Sequence, residues 1–132
     1  MRNDQSVTIR RADYRPPDFL VDSVALEFDL DPQLTRVTAT LQVRRREPGR
    51  TDPLLLDGED VALESIELDG LRLGTDRHRV QDGTLSIDGI GDRATLRIVT
   101  SIQPQANTEL MGLFVSNGNF FTQCEAEGFR RI

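Results

Sequence analysis

The sequence predicts an all-β domain, either an antiparallel, hairpin-rich sandwich or a large curved, saddle-like sheet. Three observations predict it. Apolar residues recur with a period of two along most of the chain, the alternation expected of strands with one buried face. Turn signals, among them Asp69-Gly70, Asp82-Gly83 and Asn117-Gly118, recur roughly every ten residues, as they do in sandwiches and barrels. No segment sustains a helical period, and no internal repeat or low-complexity linker interrupts the pattern.

Residues 1–19 are expected to form an extended arm. Its stretch Tyr14-Arg15-Pro16-Pro17-Asp18-Phe19 carries two adjacent prolines that hold the backbone extended. A simple leading strand and an arm that docks on another domain both fit it. Val24, Leu26, Phe28 and Leu30 then alternate with Ala25, Glu27 and Asp29, Asp31-Pro32-Gln33 turns the chain, and Val37, Ala39, Leu41 and Val43 repeat the alternation. These two runs predict an antiparallel hairpin. Arg44, Arg45 and Arg46 read as its solvated end, rather than a binding patch. After Glu47-Pro48-Gly49-Arg50, a short apolar strand is expected over 53–58. The next runs are Leu63–Leu68 turning at Asp69-Gly70 into Leu71 and Leu73, then Arg79–Gln81 turning at Asp82-Gly83 into Thr84–Ile87. Both residues of an Asp-Gly pair tolerate positive φ, which a tight hairpin requires. Ala94, Leu96 and Ile98 alternate with Thr95, Arg97 and Val99 before Pro104, and Asn117-Gly118 joins Leu113–Val115 to Phe120–Thr122.

A chain of 132 residues is one domain by length and buries about two-thirds of the surface its unfolded form exposes. A net charge of −6 repels polyanions at long range, which excludes nucleic acid and anionic membranes as expected partners. One cysteine, Cys124, cannot form an internal disulfide and suits a reducing compartment. No apolar run approaches the ~18 residues of a membrane span, and Met1–Ser6 lacks the apolar core of a signal peptide. The cytoplasm is the expected location.

Catalytic chemistry finds no support in the residues. A catalytic zinc site typically takes three protein ligands, imidazoles or carboxylates. The single histidine, His78 in Asp76-Arg77-His78-Arg79, reads as an exposed loop residue. Cys124 would need an imidazole beside it to act as a nucleophile, so it reads as a small apolar core residue. Gln123, Glu125 and Glu127 would share one face of a strand, with Cys124 and Ala126 on the other. That face either lines something polar or is an edge strand with solvated acids.

The stretch Thr122-Gln123-Cys124-Glu125-Ala126-Glu127-Gly128-Phe129-Arg130 resembles the Gln-x-Glu strand in the first domain of the aminopeptidase N family of zinc aminopeptidases. Tyr14–Phe19, Phe28-Asp29-Leu30-Asp31, Leu56-Asp57-Gly58-Glu59-Asp60 and Pro104–Leu113 follow the same family in the same order, so the resemblance covers nearly the whole chain. It implies that 1–132 is the incomplete N-terminal β-domain of a multidomain zinc enzyme, truncated at its C-terminal end, with the enzyme's own catalytic domain as a partner. It implies that Gln123 and Glu125 bind the α-amino group and first side chain of peptides with a free N-terminus, while Glu127 is unassigned. An ammonium taken out of water needs an anionic acceptor, which Glu125 supplies, and Gln123 adds a neutral amide.

The family's H-E-x-x-H zinc helix, third glutamate ligand, Gly-Ala-Met-Glu-Asn loop and tyrosine do not occur in this chain. No catalytic or metal-binding residue is therefore expected here, zinc is expected only in the parent enzyme, and the chain alone is expected to be inactive. A stand-alone β-sandwich binding or interaction module is the alternative. A sheet cut short leaves an unpaired edge, so an edge-strand dimer of the chain is also expected.

Overall fold

The computed structural model describes residues 8–132, so the first seven residues of the expected arm lie outside those described. Residues 8–18 are exposed and include one turn of 3₁₀ helix at Arg11–Asp13. The arm is anchored where it meets the sheet: Arg46 Nε donates to the Pro17 carbonyl at 2.8 Å, and the Arg46 amide donates to the Asp18 carbonyl at 2.8 Å.

Strands β1 (Phe19–Asp29) and β2 (Thr35–Arg45) form the expected first hairpin. Asp31 builds its turn, because Oδ1 accepts from the amides of Gln33 and Leu34 at 2.8 and 3.0 Å. Such an Asx turn mimics a backbone turn. Beyond it, the fully buried hydroxyl of Thr35 donates to the Asp31 carbonyl at 2.8 Å.

The other strands are β3 (Leu54–Asp57), β4 (Ala62–Leu68), β5 (Leu71–Arg72), β6 (His78–Gln81), β7 (Thr84–Ile87), β8 (Arg93–Ile102), β9 (Gly112–Ser116) and β10 (Asn119–Gln123). The three glycine-containing hairpin turns all form with positive φ at both residues: 50° and 83° at Asp69-Gly70, 50° and 78° at Asp82-Gly83, 49° and 76° at Asn117-Gly118. All pairings are antiparallel. A five-stranded sheet runs β1-β2-β8-β4-β5, a three-stranded sheet runs β3-β7-β6, and β9-β10 form a separate ribbon.

The core lies between the five-stranded sheet, which contributes Leu41, Val43, Ile66, Leu68, Ala94, Leu96 and Ile98, and the small sheet, which contributes Leu54 and Ile87. A second cluster joins Val37 and Ile102 to Leu113, with Phe120 and Ile132 packed against it, beneath the β9-β10 ribbon. One large sheet is therefore covered at two places by smaller layers.

Four expectations on these strands are corrected. Arg45 is 5% exposed, not solvated: it follows Val37, Leu41 and Val43 on the inward row of β2. Its Nη2 donates to the Ile90 carbonyl at 2.8 Å and the Asp52 carbonyl at 3.0 Å, and its guanidinium carbon lies 4.5 Å from the Phe19 ring centroid. Val24 and Phe28 lie opposite the inward Leu41 and Val37, yet they and Leu30 stay 39–52% exposed, while on the same strand Phe19 is buried in the main core and Leu26 packs against the second cluster. Val99 was expected to face outward, yet it is buried, flanked by Thr38 of β2 and Ser65 of β4 on a central strand. His78 is the half-buried first residue of β6 rather than a loop residue, its Nδ1 2.9 Å from the Gly74 carbonyl oxygen.

Candidate functional site

The site predicted from sequence begins at the last residue of β10. The Asn117-Gly118 turn fixes the register of the ribbon so that Gln123 pairs with Gly112, and Phe121 stacks on Phe114 with ring centroids 5.8 Å apart. Past Gln123 the expected strand does not continue. Residues 125–127 form a turn, and Gly128–Arg131 form one turn of 3₁₀ helix. Ala126 and Glu127 adopt left-handed backbone at φ 50° and 75°, which ends any extended alternation. The amide of Gly128 closes the turn on the Glu125 carbonyl at 3.3 Å.

The common strand face for Gln123, Glu125 and Glu127 is thus replaced by a turn. Gln123 sits at its entry, Glu125 at its first position and Glu127 at its third, and all three side chains are exposed. Cys124 was expected in the core but is exposed, because it directly follows the last paired residue of an exposed strand end. Among the described residues Glu125 carries no ion pair, so its carboxylate is available to a cation approaching from solvent.

Two glycines let this turn pack tightly. A Cβ on Gly128 would run into the Gln123 carbonyl oxygen. Gly112 has φ +74°, and a Cβ there would stand 2.6 Å from Cβ of Arg131. The segment 128–131 consequently lies across the start of β9.

Sequence reasoning missed what holds that segment. The Glu59 amide donates to the Arg130 carbonyl at 2.8 Å. The Glu59 carboxylate takes Arg131 Nη2 at 2.6 Å and Arg130 Nε at 3.1 Å, while Arg131 Nη1 reaches Asp60 at 2.9 Å and Arg130 Nη1 reaches Glu127 at 3.2 Å. The available signal was an acidic doublet, Glu59-Asp60, and a basic doublet, Arg130-Arg131. Their pairing crosses 71 residues of sequence and is fixed only by the fold.

Beside the clamp a cleft of about 590 Å³ opens between Asp60, Arg131 and Asn107, over Val61, Ile102 and Leu113. Neither Gln123 nor Glu125 lines it. Among the described residues no group of three or more His, Cys, Asp or Glu side chains is arranged to hold a metal ion. The donors present do not fit the zinc that the resemblance implies, and no zinc chemistry is assigned to them. No helix is long and apolar enough to cross a membrane.

No family model matches the chain. It is 45% identical over all 132 residues to aminopeptidase N of Caulobacter vibrioides, of which it spans 15%. It is 44% identical over 123 residues to aminopeptidase N of Escherichia coli, covering 92% of this chain and 14% of that protein. The fold is similar to a crystal structure of Legionella pneumophila aminopeptidase A in complex with aspartic acid: TM-score 0.82, 28% identity, 91% of this chain and 14% of that one. The chain thus spans about 15% of the length of the curated relatives it matches. These residues belong to the aminopeptidase N family and correspond to its N-terminal β-domain.

Proposed function

We propose that the chain is the substrate-capping part of a zinc-dependent aminopeptidase, in which Gln123 and Glu125 hold the α-amino group and first side chain of a peptide. The observation that carries this reading is the 45% identity to an aminopeptidase N over all 132 residues. Glu125 is exposed and carries no ion pair among the described residues, which supports it. An acid held at the N-terminal end of a substrate also acts as a ruler: a peptide without a free amine leaves it unpaired, which disfavours internal cleavage.

In this reading the zinc and the groups that act on the scissile bond belong to residues beyond 132, and the catalytic domain that carries them is the partner of this domain. The protein works in the cytoplasm, where an exposed cysteine such as Cys124 stays reduced.

Glu125→Ala in the full-length enzyme tests the assignment. Losing one charge-assisted hydrogen bond, about 1.5–3 kcal/mol, raises KM for free-amine substrates by roughly tenfold to a hundredfold, with kcat nearly unchanged because ground-state and transition-state binding fall together. Unchanged KM and kcat would remove Glu125 from the site. Metal analysis checks the zinc assignment: the full-length enzyme should carry zinc, and tight stoichiometric zinc on residues 1–132 alone would contradict it.

A further inference from the structure

We propose that Glu59, with Arg130 and Arg131, is a positioning group for the Gln123–Glu127 turn, so that a residue about 65 positions upstream in the sequence sets how well the substrate amine is held. The inference rests on the amine-binding reading of Gln123 and Glu125 and assigns the residues that keep that site in shape.

The turn cannot hold itself. Ala126 and Glu127 both occupy left-handed backbone, which non-glycine residues keep only where surrounding contacts impose it. Within the turn the closing hydrogen bond, Gly128 amide to Glu125 carbonyl, is long at 3.3 Å. The imposing contacts come from outside it. On the entry side Gln123 is paired to Gly112. On the exit side Arg130 bridges Glu127 and Glu59 at 3.2 and 3.1 Å, and Arg131 bridges Glu59 and Asp60 at 2.6 and 2.9 Å.

The two sides meet, because Arg131 lies against Gly112, the residue that pairs with Gln123. A closed circuit therefore runs from Gln123 through Gly112, Arg131, Glu59, Arg130 and Glu127 back to the turn.

Exposure ranks the links. Glu127 and Asp60 side chains are 73% and 72% exposed, so water competes for their ion pairs. Arg131 and Glu59 are 9% and 32% exposed, and Glu59 alone contacts both arginines and also donates its amide to the Arg130 carbonyl. Glu59 is the member whose loss opens the circuit. The clamp also gives Glu127 a place, as an outer partner of Arg130 rather than a substrate ligand.

The experiment compares Glu59→Ala, Glu125→Ala and the double variant in the full-length enzyme on a substrate with a free α-amino group. Misplacing a binding group costs up to about a hundredfold, and Glu59→Ala should raise KM about tenfold with kcat within about twofold. In the double variant the rise in KM should be clearly smaller than the product of the two single effects, since Glu59 acts through the turn that carries Glu125. If Glu125→Ala raises KM while Glu59→Ala does not, or if the two effects multiply, the positioning role is overturned and the amine-binding reading stands.

If Glu125→Ala leaves KM unchanged, that reading fails, and amide hydrogen exchange judges the clamp separately. The amides of 124–128 should exchange at least about tenfold faster in Glu59→Gln, which keeps the side-chain shape if Glu59→Ala does not fold, and unchanged protection there overturns the clamp.

Discussion

Arg45 ends the inward row of β2, and the row carries it into the core whatever its charge. Two carbonyls accept from its Nη2 and the Phe19 ring covers its face, while Nη1 is buried without a hydrogen-bond partner. A cation so placed depends on the ring's π electrons and on the two carbonyls. Arg50 and Asp52, nearby in sequence, show the opposite case. The hydrogen bond from Arg50 Nε, 2.8 Å long, holds the Asp52 carboxyl below the ordinary aspartate value of 3.8, against desolvation, which raises it. A carboxylate whose folded pKa is depressed stabilises the fold above its unfolded value, and that contribution is lost as pH falls through the folded one. The pair's contribution therefore disappears only on the acid side of 3.8. Both groups are solvent-facing, so the stability effect is small. NMR titration of the side-chain carboxyl should find Asp52 below 3.8 and returned toward it in Arg50→Gln; titration at or above 3.8 in the unaltered protein refutes the pairing.

At the scale of elements, β8 supports the most structure, because it lies between β2 and β4 and puts Ala94, Leu96 and Ile98 against the small sheet. Leu96 is 0% exposed, so Leu96→Ala should cost about 2–5 kcal/mol in chemical denaturation, transfer and cavity effects together. Leu71, on the short edge strand β5, is 75% exposed, and Leu71→Ala should change stability by less than about 0.5 kcal/mol. Equal costs at the two positions would mean that the layer over β8 is misassigned. The hairpins were readable in sequence because a two-residue turn is a local event: Asp-Gly and Asn-Gly supply positive φ without help from distant residues. The end of β10 was not readable. Alternation through Gln123, Glu125 and Glu127 predicts a strand as well as any other run does, and only the packing of 128–131 onto β9 forces the chain out of it.

Across the whole molecule, the five-stranded sheet is covered by the small sheet at one place and by the β9-β10 ribbon at another, and β1 is left at a free edge with Val24 and Phe28 only half covered. An edge of eleven residues with an open apolar row is prone to pair with another chain. Residues 1–132 are expected to associate through β1 as concentration rises, and Val24→Lys should return them to monomer in sedimentation velocity. A monomer at every concentration would refute the edge-strand dimer.

The sequence by itself determined the all-β class, the hairpins and the inward rows of β2 and β8, because each depends on a period of two or on a turn closed within a few residues. Its Gln-x-Glu stretch also pointed to the family. Only the tertiary structure decided that Arg45 is inside, that Cys124 is outside, and that Glu125 sits in a turn clamped by Glu59. Those outcomes depend on which layer covers a strand and which opposite charges meet across 71 residues, and such long-range pairings leave no periodic mark on the chain.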